Sequence, residues 1–334
     1  MPTFAVTALL FAHIANPVWK GNYADPTVWD GGDGWYYAYA TPSRENIDIL
    51  RSRDLFAWEP SGKKAFLDGT LKVVNRDWDY VWAPDVFKLD DRHWLLYVAL
   101  YKKRCNSAIA VFRADSPTGP FTDGRVITDE KSNGIHDSID PEVVRDPDDQ
   151  NRLWLYFGSS GGIHRLQLTR DGLAQRVGTK IEFVAGLTTR QDPTRAQVFE
   201  APYLYARNGW WYLFVSTGGF DVVDGPGRYR LAVGRARKLS GPFLDREGRD
   251  MRQGHATILL DSKADDRFWG PGHNGEIFTR DGRDYIFYHC HDRTLSGDPR
   301  KPGYKARHLF VRELSWDADG WPLLRSQTSE TLVE

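Results

Sequence analysis

Methionine and cysteine are scarce in this 334-residue chain, with two of each. Cys105 and Cys290 lie far apart and match no zinc or redox spacing, which excludes a disulfide framework; both are expected to be buried thiols. Neither sign of charge is in excess, since 44 Lys and Arg face 45 Asp and Glu for a net charge of -1. The chain therefore lacks the basic footprint of a nucleic-acid or anionic-membrane binder, and neither partner is expected. Long hydrophobic runs are missing too. The longest, Ala5 to Ala15, is broken by Thr7 and His13 and falls short of the roughly 20 residues a membrane span requires, so a soluble protein is expected. No Lys or Arg precedes that run, the first being Lys20, and no Asn-x-Ser/Thr sequon occurs. The compartment stays open on these signs, with the cytoplasm favoured over secretion. No helical period outlasts a turn or two and no low-complexity linker divides the chain, so residues 1–334 are expected to form one domain.

Aromatic residues are abundant. Trp 13, Tyr 15 and Phe 17 make up 13% of the chain, beside Gly 31 and Pro 18. This is the usage of an all-β protein with many short strands and tight turns, and of surfaces that stack on sugars.

The strands repeat. An acid or Ala, then Pro, any residue and an aliphatic recurs as Asp25-Pro26-Thr27-Val28, Ala83-Pro84-Asp85-Val86, Asp140-Pro141-Glu142-Val143 and Ala201-Pro202-Tyr203-Leu204, with the prolines 58, 57 and 61 residues apart. Each is followed by a turn and a second strand of alternating aromatics and aliphatics, as in Arg92-His93-Trp94-Leu95-Leu96-Tyr97 and Gly209-Trp210-Trp211-Tyr212-Leu213-Phe214. A fifth copy, from Gly272 through Tyr288, lacks the proline, and third strands follow in every unit. A β-sandwich would also show short strands and turns, but not a nearly constant period with one dipeptide in phase. The expected fold is an all-β, five-bladed β-propeller, with blades at about 17–75, 76–132, 133–192, 193–265 and 266–326.

In a propeller the first strands line one channel and run the same way, so residues at one phase converge. That phase holds, or adjoins, Asp25, Asp85, Asp140, Glu200 and Glu276. Crowded carboxylates raise one another's pKa and cost stability, so a ring of five points to function. Asp25 and Asp140 also suit plain Asp-Pro turns, in which the carboxylate accepts a backbone N–H. Glu200, between Phe199 and Ala201, is no turn former, and apolar neighbours push its pKa toward that of a general acid. One ionised and one protonated carboxyl across a pocket are what glycosidic hydrolysis needs, with a third holding the acid's pKa up. Trp82 and Phe220 offer sugar-stacking faces or serve equally as core. Asp85 joins them among the expected substrate contacts.

The phased set Asn22-Tyr23-Ala24-Asp25-Pro26, Trp82-Ala83-Pro84-Asp85-Val86, Ser138-Ile139-Asp140-Pro141, Phe199-Glu200-Ala201-Pro202-Tyr203 and Gly270-Pro271-Gly272-His273-Asn274 resembles glycoside hydrolase family 43, over Asn16 to Pro322. The resemblance implies an inverting mechanism with Asp25 as general base on water, Glu200 as general acid and Asp140 tuning and orienting that acid. It also implies that His273, otherwise an interior histidine, ligates a calcium ion largely through water. Tyr229 to Arg235, Gly241-Pro242-Phe243-Leu244-Asp245 and Trp316 to Pro322 look like the arabinan-degrading members, which implies a plant cell-wall arabinan or arabino-oligosaccharide substrate. Two departures stand out. Thr217 to Asp224 replaces a Cys-Cys loop of many endo-acting members, and Gly158 to Ile163 lacks an aromatic often found there. Ala306-Arg307-His308 resembles the arginine position of exo-acting members, where the guanidinium grips a terminal sugar. The expectation is therefore exo action on arabinan-type chains, with endo-arabinanase, a β-xylosidase of the same family and a non-catalytic carbohydrate-binding propeller as the alternatives.

Overall fold

The computed structural model describes residues 14–42, 46–70, 77–188, 198–219, 229–262, 267–292, 294 and 306–324. Its strands form five antiparallel sheets arranged as the blades of a propeller. Blade 1 contains β1 (Thr27–Asp30), β2 (Tyr36–Tyr39), β3 (Asp48–Ser52) and β4 (Glu59–Lys64); blade 2 contains β5 (Tyr80–Lys88), β6 (Trp94–Lys102), β7 (Asn106–Ala114) and β8 (Thr122–Asp129). Blade 3 comprises β9 (Glu142–Arg145), β10 (Leu153–Phe157), β11 (Ile163–Leu168) and β12 (Glu182–Ala185), and blade 4 comprises β13 (Phe199–Arg207), β14 (Trp210–Thr217), β15 (Arg230–Ala236) and β16 (Thr257–Leu260). In blade 5, β17 (Phe268–Gly272) and β18 (Ile277–Arg280) both pair with β19 (Arg283–Asp292), followed by β20 (Arg307–Trp316) and β21 (Pro322–Leu324). The first strand of this blade is thus split around His273.

The middle strands are apolar on both faces because each blade is packed between two others. In β6, Leu96 and Val98 join Tyr37 and Tyr39 of blade 1, while the alternate Leu95, Tyr97 and Ala99 join Val143, Leu153 and Leu155 of blade 3. The two-residue period of a strand sends successive side chains into different interfaces. Blades 3 and 4 meet through Tyr156, Leu204 and Leu213, blades 4 and 5 through Phe214, Ile277 and Ile286, and blades 5 and 1 through Val28, Phe287 and Leu309. The core is therefore a closed series of five inter-blade layers.

The N-terminal segment fastens the ring. Asn16 exchanges two hydrogen bonds with the Val311 backbone, at 2.8 and 3.0 Å, and the Tyr23 N–H donates to Arg307 O at 2.6 Å, so residues 16–23 run beside β20. One expectation fails here: Cys105 is exposed, although Cys290 is buried. Cys105 lies in the short turn between β6 and β7, where Lys131 Nζ reaches its Sγ at 3.4 Å.

Candidate active site

One position recurs in all five first strands. Asp25, Ala83, Asp140, Ala201 and His273 each adopt a left-handed backbone, with φ of 53°, 41°, 57°, 53° and 45°. Such a conformation costs a non-glycine residue about 1–3 kcal/mol and recurs at functional sites. At Ala83 and Ala201 it falls within register shifts, between Trp82 and Asp85 and between Glu200 and Tyr203, and at His273 it directly follows one between Trp269 and Gly272; such bulges re-aim the adjoining side chains.

The preceding blade supports this kink. Thr41 Oγ1 accepts the Ala83 N–H at 2.7 Å, Asp140 Oδ2 that of Ala201 at 3.1 Å, Ser216 Oγ that of His273 at 2.6 Å, and His289 Nδ1 that of Asp25 at 3.0 Å. Three of these partners, Thr41, Ser216 and His289, end a recurring second-strand triplet: Tyr39-Ala40-Thr41, Phe214-Val215-Ser216 and Phe287-Tyr288-His289. Phe157-Gly158-Ser159 is a fourth copy. This triplet is a signal in the sequence that the first-strand motif overshadowed.

The bulge corrects the expected single ring of acids. Asp25 and Asp140 occupy the recurring position and Glu200 immediately precedes it, whereas Asp85 and Glu276 lie two and three residues further along their strands. There they join Glu142, which the sequence reading passed over although it stands two residues after Asp140, as Asp85 stands after Ala83. Asp85 Oδ2 accepts the Val143 N–H at 3.0 Å, Glu142 Oε1 accepts that of Leu204 at 3.4 Å, and Glu276 takes Thr27 Oγ1 at 2.6 Å together with the Val28 N–H. Burial and repulsion from Glu276 push Asp85 well above the usual carboxylate range, burial with repulsion from Asp85 and Glu276 does the same to Glu142, and burial pushes Glu276 up to about 7.

Asp25 is buried among cationic and polar partners. Arg307 Nη1 donates to its Oδ1 at 2.9 Å, and His273 Nδ1 and His289 Nδ1 lie 3.2 and 3.4 Å from the same oxygen. Thr41 Oγ1 donates to Oδ2 at 2.6 Å. Burial alone would raise this carboxyl's pKa, but Arg307, the two imidazoles and Thr41 together hold it well below the usual range. Asp25 is therefore an ionised acceptor, fit to take a proton from water.

Glu200 is the opposite case. Tyr229 Oη donates to Oε1 at 2.6 Å and Ser159 Oγ to Oε2 at 2.8 Å. Burial, reinforced by the negative charge of Asp25, raises its pKa despite these two hydrogen bonds. Asp140 is raised further, first by burial and then by repulsion from Glu200 and Asp25. One acid is thus pulled below the usual carboxylate range and two are pushed above their ordinary values.

Burial lowers the pKa of His273, so its ring is neutral near pH 7. A proton on Nδ1, facing Asp25, leaves the Nε2 lone pair for a cation, and the buried Asn274 Oδ1 beside it has no hydrogen-bond partner. These donors and the acids deeper in the channel fit a hard, largely hydrated cation. They form no closed protein cage: among the described residues, three such ligand groups come within 4.8 Å of one another only at Glu130, His136 and Asp137. Trp82 is half-buried, stacked on Tyr101 with ring centroids 4.5 Å apart and on Tyr80 at 5.6 Å. Phe220 lies outside the described residues.

The family model described as glycosyl hydrolases family 43 matches residues 14–322. An extracellular exo-alpha-(1->5)-L-arabinofuranosidase, ArbA, of Cellvibrio japonicus is 30% identical, the match covering 98% of this chain and 93% of that protein. An extracellular endo-alpha-(1->5)-L-arabinanase of Bacillus subtilis is also 30% identical, over 89% of this chain and 86% of its own. The solved alpha-L-arabinanase of Cellvibrio cellulosa complexed with arabinohexaose superposes with a TM-score of 0.76 at 28% identity, covering 91% of this chain and 95% of that one. These names overturn the expectation of a cytoplasmic protein, because both curated relatives are called extracellular and point to secretion. The lack of a basic residue ahead of the Ala5–Ala15 run was too weak a sign to set the compartment.

Proposed function

The chain belongs to glycosyl hydrolase family 43, and from that premise we propose that it hydrolyses α-L-arabinofuranosyl linkages of arabinan or arabino-oligosaccharides with inversion at the anomeric carbon. The observation that carries this reading is the divergence of two carboxyl groups: the partners of Asp25 pull its pKa well below the usual range, and burial with the charge of Asp25 pushes that of Glu200 up. Asp25 takes a proton from water as the water oxygen bonds to the anomeric carbon. The bond from that carbon to the leaving oxygen breaks, and Glu200 gives that oxygen its proton. Solvent then removes the proton from Asp25 and restores that of Glu200. Asp140 would orient the acid, since its Oδ2 holds the Ala201 N–H next to Glu200 at 3.1 Å, while the charge of Asp25 adds to burial in raising the pKa of Glu200.

Arg307 supports exo action. Its guanidinium stands 2.9 Å from the base, where its donors would meet a terminal sugar. Trp82 and Phe220 would stack on sugar rings, while Asp85 would act from deeper in the channel. Product NMR in early turnover should show the inverted anomer, and the two carboxyl groups should lie about 6.5 to 9.5 Å apart in a ligand complex. Retained configuration or a gap near 5 Å would overturn the mechanism. Nitrophenyl arabinofuranoside, nitrophenyl xyloside and linear arabinan then separate exo-arabinofuranosidase from β-xylosidase and from endo-arabinanase.

A calcium ion at His273, coordinated mostly by water, would supply positive charge that offsets the channel acids. Chelation should lower the melting temperature or the activity. If it moves neither, and a crystal grown in calcium shows no ion at His273, this assignment is wrong.

A further inference from the structure

We infer that Tyr229 is a positioning residue that fixes the distance between the proton donor and the base, with Gly272 present to make room for its ring. The inference rests on the proposed roles of Glu200 and Asp25 and concerns what holds them apart. Tyr229 is almost wholly buried at 1% exposure. Its hydroxyl donates to Glu200 Oε1 at 2.6 Å, and its ring lies flat on the His289 imidazole, with centroids 5.7 Å apart and planes 7° apart. His289 is fully buried, and its Nδ1 accepts the Asp25 N–H at 3.0 Å. A continuous bridge thus runs from Glu200 through Tyr229 and His289 to Asp25.

Gly272 gives independent support. A Cβ built there would meet the Tyr229 ring at 2.2 and 2.5 Å and Ser216 Oγ at 3.0 Å. Its φ is not in the left-handed range, so the backbone does not require glycine. The ring of Tyr229 does. The second glycine of Gly270-Pro271-Gly272-His273 is thereby explained by packing against the bridge.

The sign of the electrostatic effect follows from the donor. A hydrogen bond to a carboxylate favours its ionised form, so removing the Tyr229 hydroxyl should raise the pKa of Glu200. Activity is lost as Glu200 deprotonates, so the alkaline limb of the pH–kcat profile should move to higher pH in Tyr229→Phe. Misplacement of the acid should lower kcat on arabino-oligosaccharides about ten- to a hundredfold with little change in KM. A nitrophenyl arabinofuranoside, whose leaving group needs less protonation, should lose less. Gly272→Ala keeps every hydrogen-bonding group but displaces the ring, and should slow both substrates because it disturbs the His289–Asp25 end as well.

The test compares wild type, Tyr229→Phe, Gly272→Ala and Glu200→Gln, each checked by circular dichroism, on both substrates across pH. An alkaline limb unmoved in Tyr229→Phe, with equal losses on the two substrates, would reduce Tyr229 to a core residue and overturn the inference. If Gly272→Ala fails to fold, Tyr229→Phe alone decides. Should Glu200→Gln itself show no contrast between leaving groups, the assignment of the acid fails instead, and the two failures are told apart.

Discussion

A carboxyl group free in water ionises near pH 4, and the neighbours of Asp25 and Glu200 pull them to opposite sides of that value. This separation leads to paired outcomes. Glu200→Gln should lose about 10²- to 10⁴-fold on a sugar leaving group and far less on an activated aryl one, because only the former must be protonated. Asp25→Asn removes the base on water and should slow both alike. Steady-state rates on the two substrates decide this, and equal losses in Glu200→Gln with the fold intact would remove it from the acid's role. These carboxyls were legible in the sequence because the prolines carried their phase from blade to blade. Their partners were not: Thr41 and Tyr229 lie on other strands of the same blade or at their ends, and Ser159 and His289 come within reach only when blades are packed side by side.

At the scale of the strand, the decisive feature is the kink at Asp25, Ala83, Asp140, Ala201 and His273. Local preference argues against it, since a residue ahead of proline favours extended backbone, and four of the five stand there. The sequence therefore shows the strands and their order but places Asp85 and Glu276 only at or beside the phase of Asp25. The kink is held by tertiary hydrogen bonds, and Thr41 makes two of them, to Asp25 Oδ2 and from the Ala83 N–H. Thr41→Val keeps the shape and leaves a buried N–H without its acceptor. The expected cost is about 1–3 kcal/mol in urea unfolding, with a fall in kcat because Asp25 loses a donor. An unchanged unfolding midpoint would show that the kink needs no such support.

For the whole molecule, the buried acids of the channel make stability depend on pH. Glu276 has its pKa raised to about 7, so in the folded state it keeps a proton that the unfolded chain releases near 4.5. Its contribution is fully present below the unfolded value and is lost as pH rises through 7. The shift corresponds to a penalty on the order of 3 kcal/mol at pH 8. Glu276→Gln should therefore flatten the decline of melting temperature between pH 5 and pH 8, as calorimetry would show; the same slope in both proteins would refute it. Were the proposed cation to bind, its chelation should steepen the wild-type decline, since a cation favours the ionised acids.

The pairing of residues 16–23 with β20 has a consequence in time. Asn16 and Val311 are 295 residues apart, while almost every other sheet contact is between neighbouring strands. At a synthesis rate of about 5–20 residues per second, the first segment waits roughly 15 to 60 s for the strand it must join. Four blades can stack in succession meanwhile, but Asp25 meets His289 and Arg307 only when the circle shuts. The nascent enzyme is consequently inert until Arg307 has been made and has joined Asp25.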